Sequence, residues 1–152
     1  MARLGTGIEM THGDNRSGAR ALFQDLWEEV GPEGDAFHRC AIAHAMADVQ
    51  DNVALELQWD QRALRAAHQI TGERAREGGL DAPVTVLFPS LHLNLANDYL
   101  RLHEFEAAQR HLLAGEEVLS SLAEDRYRQM IRDGLQRVRA AILEHRSTQP
   151  QR

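Results

Sequence analysis

Four clusters of turn formers punctuate this chain: His12-Gly13-Asp14-Asn15, Gly31-Pro32-Glu33-Gly34-Asp35, Gln50-Asp51-Asn52 and Gly78-Gly79-Leu80-Asp81-Ala82-Pro83. The stretches between them have the length of helices, and strong helix formers dominate them. The 21 Ala, 19 Leu, 17 Arg and 13 Glu make up 70 of the 152 residues. Val and Ile number only 7 and 5, too few to furnish a sandwich or barrel. An all-α fold is therefore predicted, with seven helices at roughly 2–12, 16–30, 36–49, 52–76, 89–102, 105–120 and 122–145. Asp35 is placed to cap the third, and Ser121 with Glu124 forms a capping box for the seventh. The tail over 146–152 has no apolar pattern and reads as flexible.

Charge narrows the partners. All 17 basic residues are Arg, a pattern we read as the codon usage of a GC-rich genome, and the net charge is -6. That balance argues against nucleic acid and anionic membranes, both of which draw affinity from a positive surface. The charge is uneven: 124–152 carries 7 Arg against 4 acids, and 1–123 carries 10 Arg against 19. A single Cys excludes a disulfide framework, and neither a membrane-length apolar run nor a basic-then-apolar opening is present, so a cytoplasmic location is expected.

The most specific signal is a repeat. Residues Asn94-Leu95-Ala96-Asn97-Asp98-Tyr99-Leu100-Arg101-Leu102-His103-Glu104-Phe105-Glu106-Ala107-Ala108 place a Leu-Ala pair, a Tyr three residues on, a polar turn, an aromatic and a small residue in succession. This resembles a tetratricopeptide repeat of the small stand-alone bacterial type, whose period is about 34 residues. A shift of 53 residues maps the segment onto Ile42-Ala43, Met46, Val49, Gln50, Leu55 and Trp59. A fainter copy places Ala19, Ala21, Phe23 and Leu26 after the Gly13-Asp14 turn. The small residues Ala43, Ala96 and Ala108 belong where helices cross too closely for anything larger. One helical domain over 1–145 is expected, with repeats at about 3–33, 36–76 and 89–121, and a capping helix at 122–145. The roughly 19 residues beyond the family period would lengthen the fourth helix and fill the connection to the fifth.

The resemblance implies a right-handed superhelix of helical hairpins with a concave binding face. On that face it places Cys40, His44 and Asp48 on the third helix, with Phe37 beside them, and Leu93, Asn97 and Arg101 on the fifth. Asn97 and Arg101, one turn apart, present an amide beside a guanidinium, a pair able to hold a carboxylate or peptide backbone. Some members of the family grip a partner's terminal carboxylate in this way with Lys, Arg and Asn. This chain has no Lys, and His44 and Asp48 stand at the equivalent places of the preceding repeat.

Other constellations carry less. Cys40, His44 and Asp48 are metal-ligand types at i, i+4 and i+8, yet no CxxC or HExxH pattern completes a site. Glu9-Met10-Thr11-His12 has the ExxH spacing of di-iron bundles, with only Asp35-Ala36-Phe37-His38 as a near match. Cys40 lies in an alanine-rich run, without neighbours other than Arg39 to lower its pKa. Catalytic residues, cofactor and metal are accordingly not assigned, and no enzyme is expected. Trp27 and Trp59 read as core. Val84-Thr85-Val86-Leu87-Phe88, the one β-rich run, reads as a core plug, a lid or an oligomer contact. Arg126, Arg128, Arg132, Arg137 and Arg139 back an apolar stripe on the last helix, as a capping helix requires; the alternative is a basic partner-binding face. The leading expectation is a protein- or peptide-binding adaptor. The alternative is a self-associating structural protein, such as a homodimer, whose groove is filled by its own 78–88 segment or by a second subunit.

Overall fold

The computed structural model describes residues 2–80 and 82–148; every described element is helical. The helices are α1 (Ala2–His12), α2 (Arg16–Val30), α3 (Ala36–Asp48), α4 (Val53–Ala67), α5 (Gly72–Glu77), α6 (Phe88–Arg101), α7 (Phe105–Ser120) and α8 (Arg126–Thr148). A short 3-10 helix, Val84–Leu87, precedes α6. None of the helices is long and apolar enough to cross a membrane. Two compact units result, Met1–Val84 and Thr85–Arg152.

Side chains at the helix ends explain the boundaries. Asn15 accepts the Gly18 N–H, Asp35 the His38 N–H and Asn52 the N–H groups of Ala54 and Leu55, each satisfying amides the first turn leaves unpaired. Thr71 does the same for Arg74, so the fourth helix predicted over 52–76 is two helices. Ile70 is buried in the break and Thr71-Gly72 restarts the chain as α5. The capping box predicted at Ser121 is also displaced. Ser121 ends α7, its hydroxyl donating to the Val118 carbonyl, and Asp125 caps α8 by accepting the Arg128 N–H. The tail predicted from 146 is helical to Thr148, and its last four residues lie outside the described ones.

In the first unit α1 pairs with α2, and α3 pairs with α4 and contacts α2. The core here holds Phe23, Met46 and Val49 together with the small residues Ala19, Ala43, Ala63 and Ala66, all with 1% exposure or less. Gly7 is needed because a Cβ there would lie 2.2 Å from the Phe23 ring. Trp27 and Trp59 meet edge to face with centroids 5.1 Å apart, Trp59 buried in the core and Trp27 half-buried at its edge.

In the second unit α6 and α7 form the hairpin and α8 packs on both. Ala96, Ala108, Leu112, Leu119, Ile131, Leu135, Val138 and Ile142 make one core cluster, so the apolar stripe of the last helix docks as its spacing predicts except at Met130, which is 58% exposed. The turn between α6 and α7 closes by hydrogen bonds from His103 N–H to Leu100 and from Glu104 N–H to Tyr99. His103 takes a φ of 61° there, the left-handed position usually filled by Gly. The β-rich run at 84–88 has no strand partner among the described residues. Its first four residues wind into the 3-10 helix, Phe88 opens α6, and Pro89 fits the first helical turn, where a missing N–H costs nothing.

Candidate functional site

The seven candidate residues divide between the units. In the first, α3 sets Cys40, His44 and Asp48 one turn apart. Cys40 is buried, and desolvation pushes its thiol up to about 11, so at neutral pH the sulfur is a packed thiol and not a thiolate. His44 is half-buried. Its Nδ1 lies 3.7 Å from Asp60 Oδ1, and the Asp60 carboxylate, from α4, is only 1% exposed. That carboxylate raises the His44 pKa against the opposing effect of burial, with Asp48 adding to it. Asp48 stands at the exposed end of the stripe. Its pKa is raised too, first by desolvation and then by the like charges of Asp60 and Glu56, while His44 and Arg16 oppose the rise.

Asp60 is the functional-looking residue that sequence reasoning missed. The available signal was a carboxylate on the stripe of Ala63 and Ala67, both fully packed, where an apolar residue belongs.

Phe37 does not stand open beside these residues. A Cβ on Gly78 would lie 2.6 Å from its ring, and the Arg74 guanidinium sits 5.3 Å above the ring centre. Arg74 also grips Asp35 through two hydrogen bonds, of 2.6 and 3.0 Å. The break at 68–71 thus lets α5 fold over the start of α3 and cover Phe37. The Arg74 partner holds the Asp35 carboxyl below its usual range.

In the second unit Leu93, Asn97 and Arg101 share one stripe of α6, but not one environment. Leu93 is packed against the core cluster, with its Cδ2 2.5 Å from where a Cβ on Gly134 would be. The expected apolar wall of a groove is therefore a seat for α8. Asn97 and Arg101 remain exposed, with Arg101 Nη1 3.8 Å from an oxygen of the buried Asp98. This stripe presents an exposed amide and an exposed guanidinium, and α8 closes its Leu93 end.

The arginines backing α8 are largely engaged inside their own unit. Arg128 pairs with Glu124 at 2.8 Å, Arg132 pairs with the same carboxylate, and Arg139 pairs with Glu116. Among the described residues no group of three or more His, Cys, Asp and Glu is placed to hold a metal ion. Glu9 and His12 are exposed on α1, and Asp35, from the other ExxH-like segment, is the cap held by Arg74.

Cavities also lie elsewhere among the described residues. One of about 380 Å³, between α1, α2 and α3, is lined by Leu4, Leu26 and Ile42 under the Arg3–Glu29 ion pair. Another of about 450 Å³ is lined by His103, Phe105, His145 and Arg146. Comparison with family models, curated proteins and solved structures finds no match.

Proposed function

We propose that this chain is a tetratricopeptide-like protein- or peptide-binding adaptor, acting in the cytoplasm, whose contact surface includes the exposed end of the α6 stripe. The observation that carries the reading is the pairing of Asn97 and Arg101: both are exposed, one turn apart, on a helix held in place by its partners α7 and α8. A guanidinium beside an amide donates several parallel hydrogen bonds to a carboxylate or a backbone carbonyl. Recognition of an extended segment in this way needs no activated nucleophile, in keeping with the packed state of Cys40.

The test is a peptide array probed with the full chain, each peptide carrying either a free or an amidated C-terminus. Binders that prefer the free carboxylate are expected to weaken at least tenfold on Asn97→Ala with Arg101→Ala. Equal binding by the wild type and the double variant would remove this surface from the interaction.

A second reading has one observation in its favour. Phe37 is covered by α5 and Gly78 of its own chain, which supports a groove filled by the 78–88 segment. On that reading the protein is structural, and sedimentation at rising concentration and salt separates a self-associating form from a monomeric adaptor.

A further inference from the structure

Away from these surfaces, α6 and α7 bring two histidines nose to nose. His92 Nδ1 and His111 Nδ1 are 2.9 Å apart, and the ring centroids are 5.2 Å apart. The centroid separation exceeds the nitrogen separation by about two imidazole radii, so the two nitrogens point at each other. Such a contact is a hydrogen bond only when one Nδ1 carries a proton and the other presents its lone pair. The two rings must then be opposite tautomers. A first added proton can go to the outward Nε2 of the donor ring and leaves the bond intact. A second must enter the facing lone pair, setting N–H against N–H between two cations.

The surroundings reinforce this count. His111 stacks on Tyr99 at 5.4 Å with rings 11° from parallel, and the Phe88 ring lies 6.5 Å from His92. A Cβ on Gly115 would lie 3.3 Å from the His92 Cβ, so the glycine lets α7 approach and fixes the ring spacing. Among the ionisable neighbours of His111 are Tyr99 from α6 and Arg110 from α7. Helix α8 brings the apolar Leu135 against Gly115, and its Tyr127 hydroxyl is committed to the Val86 carbonyl. The 3-10 helix Val84–Leu87 carries no ionisable side chain. Burial first, then the charge of Arg110, lowers the His111 pKa.

We infer that the His92–His111 pair is a proton-counting latch between α6 and α7, closed by one shared proton at neutral pH and opened as acidification forces in a second. The hairpin it holds is the one that carries Asn97 and Arg101. The sign follows from proton binding: below the ordinary histidine value of about 6.5 the unfolded chain takes up a proton that the closed pair refuses, so stability falls with pH in that range.

The test uses the full chain and His111→Asn, which keeps a hydrogen-bonding group near the Nδ1 position but cannot titrate. Urea unfolding followed by far-ultraviolet circular dichroism is compared at about pH 7.5 and about pH 5.5, where a refused proton raises the unfolding constant about tenfold in the wild type over any change in the variant. Long-range proton–nitrogen NMR of the wild type at neutral pH is expected to show one Nδ1-protonated and one Nε2-protonated ring for His92 and His111. Identical pH dependence in the two proteins overturns the inference. So does finding both rings as the Nε2-protonated tautomer, a measurement that decides the matter even where His111→Asn fails to fold.

Discussion

Replacing Gly134 with Ala distinguishes an open α6 stripe from one occupied by α8, because the two arrangements give effects of opposite sign. Gly134 is in the interior of α8, where Gly→Ala favours the helix by about 1 kcal/mol. With an open stripe that gain would be the whole effect. In the structure the added methyl would stand 2.5 Å from Leu93 Cδ2 and 3.1 Å from Leu93 Cδ1, so the leucine must leave its position. Overpacking of this kind costs about 1–3 kcal/mol, giving a net loss of about 1 kcal/mol.

Leu93→Ala alone removes about three carbons from a half-buried site and costs about 1–2 kcal/mol. In the double variant the methyl introduced by Gly134→Ala enters space that Leu93 has vacated, the clash disappears, and the helix gain of about 1 kcal/mol is recovered. The double variant is therefore expected to be at least as stable as Leu93→Ala, with a coupling energy of about 2 kcal/mol. Urea denaturation of the four proteins, followed by circular dichroism, measures it. A coupling below about 0.5 kcal/mol, the range of additivity for residues not in contact, would falsify the docking of α8 on Leu93.

Two further outcomes follow from the geometry. Cys40, buried and with its thiol pushed up to about 11, is expected to resist a thiol reagent at neutral pH and to react fully in denaturant; rapid labelling of the native protein would contradict its packed state. His103→Gly relieves a left-handed residue at the end of α6 and is expected to stabilise the second unit by about 1 kcal/mol, read as a higher melting temperature; a lower one would show that the His103 side chain contributes more than its backbone costs.

The helical class was legible in the sequence because helix propensity, turn residues and caps are local properties. Asp35 acts as the cap its position predicts, and the Ala43, Ala96 and Ala108 positions of the repeat are all fully buried. The apolar stripe of α8 was legible for the same reason: a period of 3.6 residues defines a face whether or not its partner is known. Local signals also misled where two of them competed. Ser121 and Glu124 have the spacing of a capping box, yet Asp125 supplies the cap, and the run predicted as one helix over 52–76 is broken by Thr71.

What the stripe at 37–48 and the stripe at 93–101 would face depended on chain distant in sequence. Phe37 is covered because Arg74, some forty residues on, reaches back to Asp35. Leu93 is covered because Gly134 lets α8 come close, while Asn97 and Arg101, on the same stripe, stay exposed. Asp60 beside His44, and His92 against His111, depend likewise on how two helices are brought together. Periodicity determined which residues share a face. Only packing, in which one missing Cβ or one long-range ion pair selects the neighbour, decided whether that face meets core, another helix or solvent.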